Sequence, residues 1–160
     1  MSATTRLLLS ILILGIFCQS AFAQDASSPN EIERRAFEQT NIERLKNGLP
    51  PFIWDADLGR LSRSYSEAMS RLRFFSHKTP DGKRLPERAR AAGIGRYSVL
   101  GENIAYNQGY DDPGALAVEK WMLSPKHRAN ILSSDFRAMA IGSFIAPDGS
   151  VYLTQTFIKR

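Results

Sequence analysis

The chain has 160 residues, one cysteine, and 21 basic against 16 acidic side chains for a net charge of +5. At 43% hydrophobic and 23% charged it can bury one ordinary core. A lone cysteine excludes a disulfide scaffold, and scattered basic residues without aromatic interleaving exclude a nucleic-acid stripe.

The N-terminus reads as a targeting segment. Arg6 precedes an apolar run from Leu7 to Phe17, broken only by Ser10 and Gly15, and Ala21-Phe22-Ala23 supplies the small-x-small pattern of signal peptidase. Residues 1–23 are therefore expected to be a signal peptide, 24–29 a short leader and 30–160 one domain. The 11-residue run is too short for a hydrocarbon core that needs about 20 residues, so no transmembrane anchor is expected after cleavage. Phe17 stands before Cys18, where a lipoprotein signal wants a small residue. The mature chain would carry no cysteine and hence no thiol nucleophile. It is expected in the periplasm or the medium. Without Arg6 it keeps 20 basic against 16 acidic residues, a charge of +4, which favours anionic envelope polymers or lipid headgroups over nucleic acid.

In chain order, Ser28-Pro29-Asn30-Glu31 has the pattern of a capping box with proline at the first helical position. It predicts a helix to about Lys46, stopped by Gly48. Phe37, Asn41 and Leu45 share one of its faces, which makes Asn41 a buried, hydrogen-bonded amide in an apolar row. Leu49-Pro50-Pro51-Phe52 breaks the chain, and Asp55 caps a second helix with Leu58, Leu61, Tyr65, Ala68, Met69 and Leu72 at helical spacing. Thr79-Pro80-Asp81-Gly82 is a turn. Pro86 to Ala92 forms a short helix closed by Gly93. Ser98 to Tyr106 is a strand or extended loop. Asp112-Pro113 opens a helix with Ala115, Val118 and Met122 on one face, and Ser124-Pro125 opens another. Met139 to Ala146 and Val151 to Phe157 alternate around Pro147-Asp148-Gly149, a hairpin. Helices first and strands last make the class α+β.

Chemistry concentrates at the only two histidines, His77 and His127, with Glu102 midway, 25 residues from each. Imidazole and carboxylate together suit acid/base catalysis or a zinc site, and only a specific fold can join them. Read singly, each histidine is a surface residue and Glu102 a solvated carboxylate, while Trp121, Tyr65 and the phenylalanines are core. Ser124 and His127, three apart, invite comparison with a hydrolytic triad. Against that, Ser124 before proline is a helix cap with its oxygen engaged, and no Gly-x-Ser-x-Gly elbow is present.

Several motifs in fixed order give the chain a family likeness. They are Asn41-Ile42-Glu43-Arg44, Gly48-Leu49-Pro50, Trp54-Asp55, Phe75-Ser76-His77, Gly101-Glu102-Asn103-Ile104-Ala105, Trp121, Ser124 to Leu132 and Thr154-Gln155-Thr156-Phe157. Together they resemble the CAP superfamily of cysteine-rich secretory, antigen 5 and pathogenesis-related class 1 proteins (the SCP domain), in its cysteine-free bacterial form. The resemblance implies a three-layer α-β-α sandwich around a small, mostly antiparallel sheet. It also implies a cleft built on two histidines and two acids. His77, Glu102 and His127 take three of those places. Ser124 stands at the fourth, where eukaryotic members have glutamate, and Glu119 lies about 140° away around the helix.

The expected cleft is thus His77, Glu102, Asn103, Ser124 and His127, with His77, His127 and Glu102 as the candidate ligands of zinc or another divalent cation. The alternative for Glu102 is to cap backbone amides or pair with an arginine such as Arg128. The leading expectation is a monomeric, non-catalytic binding module for a lipid or sterol, an envelope polymer or a protein. The second is a metal-assisted hydrolase with Glu102 as ligand or base. The third is an envelope protein with a vestigial cleft that acts through its basic surface.

Overall fold

The computed structural model describes residues 30–160; the expected signal peptide and leader lie outside the described residues. In chain order the elements are α1 (Glu31–Lys46), β1 (Ile53–Trp54), α2 (Ala56–Arg71), α3 (Leu85–Ala91), β2 (Val99–Asn107), α4 (Pro113–Leu123), α5 (Pro125–Ile131), β3 (Ala138–Ile145) and β4 (Val151–Lys159). The sheet order is β1-β3-β4-β2. β4 runs antiparallel to both β3 and β2, and only the two-residue β1 is parallel to its neighbour.

The sheet is covered on both faces. On one side Ala36 of α1, Ala117, Val118 and Trp121 of α4 and Ile131 of α5 pack on Met139, Ile141, Leu153 and Phe157. On the other, Leu58 and Leu61 of α2 and Leu85 and Ala89 of α3 pack on Ala140 and Ile158. Successive β-strand residues point to opposite faces, so residues 139–142 of β3 and 153–158 of β4 are all buried. This is the expected three-layer α-β-α sandwich. α2 lies so close to the sheet that a Cβ on Gly142 would sit 2.0 Å from the Arg63 amide nitrogen.

Two local expectations change. The capping box of α1 is Asn30 with Glu33, each side chain accepting from the other's backbone amide at 3.0 Å. Its buried face is Glu33, Ala36, Thr40 and Arg44, while Leu45 is 60% exposed. Asn41 is half-buried and fully used, its side chain pairing with both the N–H and the C=O of Phe52. Buried Arg44 donates to the carbonyls of Pro50, Ile131 and Ser133, each at 2.8 Å. Asn41 and Arg44 thus explain why that motif precedes the Pro50-Pro51 break. They bind α1 to the strand entry and to the end of α5.

Candidate ligand cleft

His77 reaches its place through the end of α2. Arg73 takes a left-handed φ of 54°, rare for a side chain with a Cβ, and reverses the chain. Phe74 packs edge-on against Tyr65, and the Tyr65 hydroxyl donates to the Ser76 carbonyl at 2.5 Å. Burial pushes the Tyr65 phenol up to about 12, partly offset by the nearby Arg88 cation, so it stays a donor. The His77 imidazole is half exposed, with Nδ1 2.9 Å from Glu102 Oε1.

Glu102 projects from β2 with only 5% of its side chain exposed. Its second oxygen, Oε2, accepts from Arg88 Nη2 at 2.7 Å. Arg88 comes from α3, is itself 8% exposed, and stacks over the Tyr65 ring with Cζ 3.3 Å from the centroid. Among the described residues its Nε and Nη1 have no hydrogen-bond acceptor, and the π face of Tyr65 supplies the compensating contact. The arginine beside Glu102 is therefore Arg88; Arg128 instead reaches Asn47 Oδ1 at 3.4 Å. The preceding Gly101 is needed for close packing, since a Cβ there would meet the Phe136 ring at 2.7 Å.

His127 is positioned by its backbone. Asn103, expected in the cleft, is fully buried beneath it. Asn103 Nδ2 donates to the His127 carbonyl and to Gln155 Oε1, and Asn103 Oδ1 accepts from Asn130. Gln155 continues the chain to Thr40 of α1. The half-buried His127 imidazole has its pKa lowered, first by burial and second by the charge of His77.

Ser124 is the N-cap residue of α5, but its side chain makes no cap hydrogen bond, contrary to the expected engaged oxygen. Among the described residues no hydrogen bond joins it to His127. Both line an open groove of about 610 Å³ together with Phe75, Tyr106, Tyr110 and Trp121. Phe75, Tyr106 and Tyr110 are 52%, 49% and 58% exposed, so the default reading of the phenylalanines as core fails for Phe75. Their signal in the sequence was position alone: Phe75 two residues before His77, and Tyr106 on the strand of Glu102.

The donor chemistry bears on a metal. Each oxygen of Glu102 already has one partner, Oε1 the His77 imidazole and Oε2 the permanently charged Arg88, so a cation there would compete with a buried arginine for the same carboxylate. Two imidazoles remain, below the three protein ligands of a catalytic zinc. Among the described residues no group of three His, Cys, Asp or Glu side chains is arranged to hold a metal ion. The three-ligand set does not fit this arrangement; Glu102 instead holds the His77 ring by its Nδ1.

Comparison with known proteins agrees with this architecture. The chain is 35% identical over 128 residues to "Uncharacterized membrane protein YlbC" of Bacillus subtilis, covering 80% of this chain and 34% of that protein. It is 35% identical over 134 residues to "Uncharacterized protein YkwD" of the same organism, covering 84% and 49%. The chain thus spans between a third and a half of the length of these relatives. An extracellular protein containing an SCP domain from Bacillus anthracis superposes with a TM-score of 0.69 at 29% identity, covering 81% of this chain and 40% of that one. Among the described residues no helix is long and apolar enough to cross a membrane. Residues 37–157 match the family model described as the cysteine-rich secretory protein family, CAP. The chain belongs to that family.

Proposed function

We propose that this chain is an exported, non-catalytic binding module whose ligand lies in the groove beside His127. The observation that carries the reading is three half-exposed aromatic rings around a groove of about 610 Å³ with His127 and Ser124 at its polar side. A cleft with apolar walls and a few polar groups is the usual form of a small-molecule site. The polar residues nearby are spent on structure: Glu102 on Arg88 and His77, Asn103 on Gln155 and the His127 carbonyl. No base is left next to a nucleophile. An amphipathic lipid or sterol suits the groove, with its apolar body on the rings and its polar end at His127.

Buried Trp121 lines the groove and reports on it. Titration with a long-chain fatty acid and with a sterol, read by Trp121 fluorescence, should give saturable binding that Tyr106→Ala and Tyr110→Ala weaken by ten-fold or more. Unchanged affinity in both folded variants would place the ligand elsewhere. Export is supported by the N-terminal pattern and by the similar extracellular protein of Bacillus anthracis; a mature N-terminus at Gln24 is the expected mass.

A metal-assisted hydrolase using His77, Glu102 and His127 is the second reading. It is favoured by the carboxylate on His77 Nδ1, the arrangement that orients imidazoles toward a metal. Hydrolysis of an ester or peptide that is lost in His77→Ala would make it the better one.

A further inference from the structure

The four side chains Tyr65, Arg88, Glu102 and His77 form one connected unit, and its chemistry fixes a proton. Arg88 is more than nine-tenths buried and always charged, and it donates to Glu102 Oε2 at 2.7 Å. A carboxylate so paired offers acceptor sites alone. The atom 2.9 Å from its other oxygen, His77 Nδ1, must then be the one that carries hydrogen when the imidazole is neutral. Tyr65 secures both ends of the unit. Its ring lies 3.3 Å below the Arg88 guanidinium carbon, and its hydroxyl holds the carbonyl of Ser76, the residue before His77.

We infer that Arg88 and Tyr65 are positioning residues that hold neutral His77 as the Nδ1–H tautomer, leaving the Nε2 lone pair without a partner among the described residues at an exposed rim. In water a free imidazole favours the opposite tautomer, so the unit reverses the default. Its consequence is an acceptor at the His77 rim, which lies beside Leu85, Leu100 and Glu102 and is separate from the groove at His127. A group bound there must bring a hydroxyl or N–H donor to that nitrogen.

His77 and His127 are the only histidines, so histidine-labelled protein gives two resolvable ring systems. Two-bond proton–nitrogen correlation is recorded well above the ordinary histidine pKa of about 6.5. The expected His77 pattern has a protonated Nδ1 and an unprotonated Nε2. Arg88→Met should shift it toward Nε2–H, and Arg88→Lys should restore most of the Nδ1–H population. Tyr65→Phe keeps the ring and loses the hydroxyl, so it should lower the backbone order parameter of His77. A predominantly Nε2–H pattern in the unmodified protein overturns the inference, whatever the variants do. So does a folded Arg88→Met protein with an unchanged pattern. Absence of ligand from the groove, with the Nδ1–H pattern intact, counts against the binding reading alone.

Discussion

Arg44 of α1 donates from one Nη1 to the carbonyl of Ile131, 87 positions later at the end of α5, at 2.8 Å, and to that of Ser133 at the same distance. This buried cation closes a helix C-terminus whose carbonyls have no partner within the helix. It also lies over the Phe52 ring, 3.7 Å from its centroid. Arg44→Met should leave the buried Ile131 carbonyl and the part-buried carbonyls of Pro50 and Ser133 without their donor, and cost about 1–3 kcal/mol. Arg44→Lys should recover little, because an ammonium cannot reproduce the planar fork. Urea midpoints of the three proteins test this; a methionine variant within 1 kcal/mol of the parent, on the same scale, would contradict it.

Asn103 is the corresponding device under the cleft. It joins β2 to β4 through Gln155 and to α5 through Asn130 and the His127 carbonyl. Asn103→Ala should leave Gln155 Oε1 without this donor in the core, at a cost of about 1–3 kcal/mol. It should also loosen α5. The check is a lowered thermal midpoint together with shifted His127 resonances. Asn103→Asp should be worse, since a carboxylate cannot donate to Gln155 or to His127.

How far the sequence revealed this site depended on the range of the signal. Local signals were reliable: the Asp55 and Asp112 caps, the spacing of Leu58, Leu61, Tyr65 and Met69, and the Pro147-Asp148-Gly149 hairpin all appear as read. β1 was invisible because two residues carry no periodicity; its parallel pairing to β3 is a tertiary contact. Arg44 and Arg88 were missed for a common reason. A charge reads as solvated until a fold surrounds it with carbonyls or a carboxylate. Ser124 erred the other way, since its proline predicted a cap that its side chain does not make. Motif order placed Glu102 against His77, but only the fold showed that a buried arginine already holds the other oxygen.

That arrangement predicts how zinc would behave if offered to the purified protein. With Glu102 orienting His77 rather than ligating, Glu102→Gln should weaken zinc binding by about 10- to 100-fold. His77→Ala and His127→Ala should each abolish it. Calorimetric titration separates these outcomes. Equal and complete loss in all three variants would make Glu102 a direct ligand.

The pH dependence follows from His127. Burial, and then the charge of His77, lower its pKa below the ordinary 6.5. Between the folded and unfolded values the unfolded chain binds more protons, so stability rises with pH there. The contribution of neutral His127 is complete above about 6.5 and is lost as pH falls through the lowered folded value. Urea midpoints should therefore drop as pH falls from about 6.5 through the lowered folded value. His127→Asn should flatten that part of the profile. His77→Asn should raise the His127 pKa only slightly, because the histidine charge is the lesser cause. A His127 resonance titrating at or above 6.5 in the parent would remove the effect.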